Sequence, residues 1–171
     1  MNKLIFISGV HGVGKSTLCS QINSFVDIRS YSCSDIIKAN SAYVETSKVV
    51  DKAEANQRAL LEGISNLDDE NILLDGHFCL VGKNETIIEL DYQVFQDINP
   101  DIVINVLADA HEVHRRLLSR DGDCISLDLI DKLQKQESHN AHEFCSKNGV
   151  KIVDYNSGDD VSTLLIELGL S

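Results

Sequence analysis

Residues 9–17 read Gly9-Val10-His11-Gly12-Val13-Gly14-Lys15-Ser16-Thr17, directly after the apolar run Leu4–Ile7. The pattern G-x-x-x-x-G-K-[ST] in that setting predicts a buried strand, a phosphate-binding turn and a helix opening at Lys15. The residue types follow the chemistry of an oligophosphate. Gly9, Gly12 and Gly14 permit backbone conformations closed to larger residues. Backbone N–H groups of the turn, Val13 included, then converge on phosphate oxygens, and the helix N-terminus adds positive potential. Lys15 is expected to neutralise the β- and γ-phosphates and Ser16 to offer its hydroxyl to Mg²⁺. Thr17 is read as bonding the α-phosphate or capping the helix. His11 reads as a solvent-facing filler, with a phosphate contact as the other reading. The expected ligand is a purine nucleoside triphosphate, ATP with Mg²⁺.

Outward from this turn, further apolar runs at Ile72–Leu74, Ile102–Leu107 and Val150–Val153 are each bounded by polar or glycine residues. Continuous apolar character predicts parallel strands covered on both faces. Ile28–Tyr31 is less apolar and is expected near an edge. Helices are predicted at Lys15–Val26, Ser34–Ser41, Val50–Leu67, Ala110–Ser119, Ser126–Lys147 and Asp159–Leu168. Ser34 or Asp35 is expected near one N-cap and Ser126 at another. Phe78–Val81 and Glu85–Leu90 flank Gly82-Lys83-Asn84 and predict a β-hairpin. It should lie beside the carboxyl end of the third strand, where α/β proteins place ligands. Alternating strands and helices imply one α/β domain over residues 1–171, a three-layer sandwich with right-handed crossovers.

Lys and Arg number 15 against 27 Asp and Glu, a net charge of −12. Affinity for a nucleic-acid polymer comes largely from neutralising phosphates with cations, so no such partner is expected. The apolar start MNKLIFISGV is too short for a signal peptide, and no apolar stretch of about 18 residues follows. No membrane partner and a cytoplasmic location are therefore expected. The five cysteines are widely spaced without C-x-x-C and read as small semi-buried hydrophobes. His111/His114 and His139/His142 share helix faces, but no other ligand completes a metal site. They read as surface histidines.

A second acidic position is predicted at Asp75, where Asn71-Ile-Leu-Leu-Asp75-Gly76-His77 ends a strand. Such an Asp holds Mg²⁺, directly or through water, and orients an attacking group; the plainer reading is a residue that begins a turn. His77 is read as an acceptor contact or as a local hydrogen-bonding residue.

With these segments in view, the chain resembles the P-loop nucleoside monophosphate kinases, and most of all the archaeal-type adenylate kinases. The likeness extends over nearly the whole chain. GVHGVGKST, ILLDGH, Asn99-Pro100-Asp101, Arg115-Arg116-Leu117 with Arg120, and Gly149-Val150-Lys151-Ile152 carry it. It implies five parallel strands in order 2-3-1-4-5, with an acceptor-binding region over 33–66 and 76–98 and a short lid over 120–127. It implies transfer of the γ-phosphoryl of ATP to a nucleoside monophosphate. Ser34, Asp35 and Lys38 resemble the family's acceptor segment, with Lys38 where an Arg contacts the monophosphate. Arg116 is implied near the ATP base and Arg120 at the transferring phosphoryl group. Catalytic roles fall to Lys15, Asp75 and Arg120, and the Mg²⁺ of the nucleotide to Ser16 and Asp75. His77-Phe78-Cys79 departs from the family's "FPR", and the hairpin is an addition. A hydroxyl-bearing metabolite or nucleoside acceptor therefore stands beside the monophosphate, as does an ATPase module acting on a protein partner.

Overall fold

The structure, a computed structural model, describes residues 3–44 and 52–170. Five strands form one parallel sheet: β1 (Lys3–Ser8), β2 (Arg29–Ser32), β3 (Asn71–Gly76), β6 (Ile102–Leu107) and β7 (Lys151–Asn156). Their order is β2-β3-β1-β6-β7; counting the strands of this sheet alone, that is 2-3-1-4-5. Leu4 to Ser8 are buried without a break, as are Ile102 to Val106. Successive strand residues point to opposite faces, so both faces of the central strands are covered. Helices supply the cover: α1 (Lys15–Phe25) packs beside α7 (Val161–Leu168), and α5 (Ala110–Asp121) beside α6 (Leu127–Asn148). The less apolar β2 lies at the sheet edge.

Parallel register brings the functional segments together. Ile7 pairs with Asp75 and Ser8 with Gly76, while Ser8 also aligns with Asn105. The carboxyl ends of β1, β3 and β6 thus open at one level, with the turn after β1 beside the last residues of β3. Ser32 pairs with Asp75 on the other side, which places the start of α2 (Cys33–Val44) at the same rim. The Asn99-Pro100-Asp101 junction has a local cause. Asn99 ends α4 (Tyr92–Ile98) in the left-handed conformation, and the Asp101 carboxylate accepts from Leu4 N at 2.7 Å.

Several expected boundaries shift. Helix α2 begins at Cys33 because β2 runs into it without a linker, so Ser34 and Asp35 lie in its first turn rather than at its cap. Helix α3 is Lys52–Ser65; the expected start at Val50 lies outside the described residues. Ser126 caps α6 as its residue type predicts, accepting from Leu129 N at 3.2 Å. Helix α4 has no counterpart in the sequence reading. Its seven residues are too short for a period to emerge, yet Asp91 caps it by accepting from Gln93 N at 2.9 Å. The hairpin forms from β4 (Cys79–Val81) and β5 (Ile87–Glu89), with a 3-10 turn at Lys83–Glu85 between them. Among the described residues no helix is long and apolar enough to cross a membrane.

Candidate active site

The turn after β1 holds its lysine inward. Lys15 Nζ donates to Gly9 O at 2.7 Å and to Val10 O at 3.2 Å, and stands 3.8 Å from Asp75 Oδ1. Only 7% of Lys15 is exposed. Burial lowers its pKa, and Asp75 opposes that shift. Gly12 and Gly14 have φ of +81° and +109°, a region that disfavours side chains. A Cβ on Gly14 would also meet Ser157 Oγ at 2.8 Å. Gly14 is the N-cap of α1 and carries no side-chain cap. The first N–H groups of that helix therefore keep their capacity for an external anion. Gly9, Gly12, Val13, Gly14, Lys15, Ser16 and Thr17 form this one turn as the sequence predicts, with Ser16 and Thr17 exposed at its rim.

Asp75 is the next-to-last residue of β3 and is half-buried. Burial raises its pKa above the usual carboxylate range; Lys15 lowers it and Asp35 raises it further. His77 Nδ1 lies 2.7 Å from Gly9 O. A carbonyl only accepts, so Nδ1 carries the proton and Nε2 keeps its lone pair. Burial, Lys15 and His11 together push the His77 pKa down to about 3, which keeps the ring neutral. Gly9 O thus receives both Lys15 and His77. His11 is exposed, and its ring centroid lies 4.3 Å from that of His77.

Helix α5 braces the outside of the turn. Arg116 Nη1 donates to Val13 O at 3.1 Å, to Gly12 O at 3.3 Å and to Ser157 Oγ at 3.4 Å, while its Nε binds Glu112 at 3.0 Å. Arg120 lies in the last turn of the same helix, which runs to Asp121 and ends at left-handed Gly122. The expected lid over 120–127 is therefore helical at its first two residues. The Arg120 guanidinium makes two bonds of 2.9 Å to Asp121.

These groups open into one cavity of about 1050 Å³, lined by Lys15, Ser16, Thr17, Ser34, Asp75, His77, Arg116 and Arg120 among others. Asp35 and Lys38 are exposed and are not among its lining residues. Lys38 is on the solvent side of α2, whereas Ile36 is the buried residue of that turn. The two histidine pairs stay apart from the cavity. His142 Nε2 meets Asp154 at 2.8 Å, and His139 stands 4.0 Å from Glu143. The five cysteines are free.

Two residues of the site escape the sequence. Ser157 follows β7 and carries no motif. Glu137 lies on α6, 2% exposed, and accepts the N–H groups of Phe78 and Cys79 at 2.7 Å each. Its signal was an acid on the apolar stripe of Ile130, Leu133, Ala141 and Phe144. Glu137 fixes the backbone immediately after His77 and so positions that ring.

Burial pushes the Glu137 pKa from 4.5 up to about 7, against the pull of both N–H groups and of Lys15. Folding then takes up a proton between those values. The stability from this group is complete below about pH 4.5 and is lost as pH rises through about 7. Glu137→Gln leaves one N–H facing an amide group and should destabilise the fold by ~1–3 kcal/mol. The wild-type advantage over that variant should shrink between about pH 5 and about pH 8. Urea unfolding of both proteins at the two pH values measures this. A constant difference would show that Glu137 keeps ordinary acidity.

The sheet order, the glycine-lysine turn at the mouth of β1 and the acid at the end of β3 define a P-loop protein of the kinase-like kind. The chain belongs to the AAA domain family, which matches residues 8–134. An adenylate kinase of Methanothermobacter thermautotrophicus is 26% identical over 165 residues, covering 88% of this chain and 89% of its own length. A relative from Methanococcus maripaludis is 24% identical over 169 residues, covering 88% and 84%. Among solved structures, a gluconokinase from Sinorhizobium meliloti has a TM-score of 0.56 at 11% identity, covering 99% of this chain and 91% of its own. The likeness to the solved structure shows the fold, and none of the three fixes an acceptor for this chain.

Proposed function

We propose that this chain transfers the γ-phosphoryl group of Mg²⁺-bound ATP to a hydroxyl of a small acceptor held in the cavity. One observation carries the reading. Asp75, a carboxylate of raised pKa, stands 3.8 Å from Lys15 in a cavity continuous with the phosphate turn. A hydroxyl must lose its proton as it attacks, and a carboxylate of raised basicity can take it. The loop N–H groups and Lys15 would hold the triphosphate and Ser16 its Mg²⁺, and Asp75 would face that ion only through water, which leaves its carboxylate free as the base. Among the described residues no cluster of three or more His, Cys, Asp or Glu could hold a metal alone. That suits Mg²⁺, which is commonly held by one or two carboxylates together with substrate phosphates. When bound, the ion supplies charge neutralisation to the phosphates.

A nucleoside monophosphate acceptor is the second reading, favoured by the adenylate kinase relative of Methanothermobacter thermautotrophicus. It calls for a cation at the acceptor phosphate, and Lys38, the residue implied for it, is exposed outside the lining. Incubation with γ-labelled ATP and a small-molecule cell extract tests the kinase reading. Label should appear on an organic product. Label recovered only as inorganic phosphate would instead mark an ATPase.

Arg120 is proposed to meet charge that develops on the γ-phosphoryl during transfer. Arg120→Ala should lower kcat by ~10²-fold and leave ATP affinity nearly unchanged. Steady-state kinetics decide this: a kcat within about twofold of wild type would leave Arg120 as no more than the partner of Asp121.

A further inference from the structure

The cavity has two unlike ends. Among its described lining residues the cations are Lys15, Arg116 and Arg120. Arg116 binds the carbonyls of the phosphate turn, and Arg120 adds positive potential at Lys15. The far end is made by α3, α4 and the hairpin. Leu80 and Ile88 are cross-strand partners that line this end, yet they remain 38% and 47% exposed. Leu60 of α3 and Val94 of α4 line it as well, and Asn56 adds an amide.

A two-stranded hairpin of this length is not stable alone, and this one is held at its root. Phe78 is fully buried and stacks on Phe95 with ring centroids 3.9 Å apart. Glu137 takes the N–H groups of Phe78 and Cys79, and Leu90 N donates to Phe78 O at 2.9 Å. With the root fixed, Leu80 and Ile88 cannot withdraw into the core. Large apolar side chains held open in a cavity gain only when a ligand covers them.

We infer that the far end binds the ring of an unphosphorylated heteroaromatic alcohol, a nucleoside being the type of this class. The ring lies against Leu80 and Ile88, its polar edge meets Asn56, and its hydroxyl is presented to Asp75. This rests on the kinase reading above. A polyhydroxylated acid would bring its carboxylate to an end of the cavity that Glu54, Glu89 and Asp91 also line, where like charges repel. In the transfer step the acceptor oxygen forms its bond to the γ-phosphorus. The bond from that phosphorus to the β,γ-bridging oxygen breaks, and its electron pair leaves with ADP. The hydroxyl proton passes to the Asp75 carboxylate.

The test measures ADP formation by the full chain from Mg²⁺ and ATP with adenosine against AMP, uridine against UMP, and gluconate. At least one nucleoside should raise the rate by ~10-fold over the acceptor-free rate, and its monophosphate and gluconate should not. Leu80→Ser and Ile88→Ser should each raise the KM of that nucleoside by ~10-fold with the KM of ATP within about twofold. Both residues are exposed, so the variants should melt like the wild type. Faster turnover with a monophosphate or with gluconate, stimulation by none of the probes, or an unchanged nucleoside KM in both variants overturns the inference. The rise in melting temperature with Mg²⁺ and ATP separates the two levels. If that rise is present without stimulation, the acceptor class alone falls; if it is absent, the kinase reading falls with it.

Discussion

Lys15→Ala should cut ATP turnover by at least ~10³-fold. The ammonium is the buried cation of the turn, and its two carbonyl bonds direct it to the centre of the loop. Alanine leaves the phosphates with backbone dipoles and removes the one formal charge held inside the turn. The fold should persist. Gly9 O keeps its bond from His77, and Gly12 and Gly14 keep conformations that do not depend on the lysine. Relief of Lys15 desolvation offsets part of what the lost hydrogen bonds contribute. Steady-state turnover together with a thermal melt checks both parts. Turnover near wild type in a folded variant would detach the turn from catalysis.

Asp75→Asn should lower kcat by ~10²–10⁴-fold, the range for losing a positioned general base. Asparagine keeps the shape and removes both the proton acceptor and the negative charge beside Lys15. The pH profile gives a second readout. Burial raises the Asp75 pKa above the ordinary carboxylate range, so the base is lost on acidification at a higher pH than an ordinary Asp. Activity of the wild type should therefore fall on the acid side, and that limb should vanish in the variant. A kcat within about twofold of wild type would assign Asp75 to the structure of the turn alone. It would also favour an acceptor that is already anionic and needs no base.

The phosphate turn was legible because its determinants are local. Glycines that tolerate positive φ, a lysine at the helix start and the apolar run before them all lie within about a dozen residues of chain. The N-cap at Ser126 and the outline of the hairpin are local for the same reason. Helix ends drifted where the signal depends on neighbours: α5 continues to Asp121 because Gly122, rather than Ser119, terminates it. Helix α4 offered only seven residues, less than an amphipathic period needs to declare itself.

The sequence by itself determined the alternation of strands and helices, the turn at 9–17 and the acid at Asp75, because periodicity, caps and glycine content act over a few residues. Tertiary structure alone decided what surrounds that turn. Parallel register set Asp75 beside it, and packing carried Arg116 to carbonyls more than 100 positions away in the chain. Packing also brought Glu137 under the hairpin root, 58 and 59 positions from its partners. The same packing turned Lys38 toward solvent and Leu80 and Ile88 into the cavity. Residue type states what a side chain can do; which face of an element is covered depends on segments distant in the chain, and no local pattern records it.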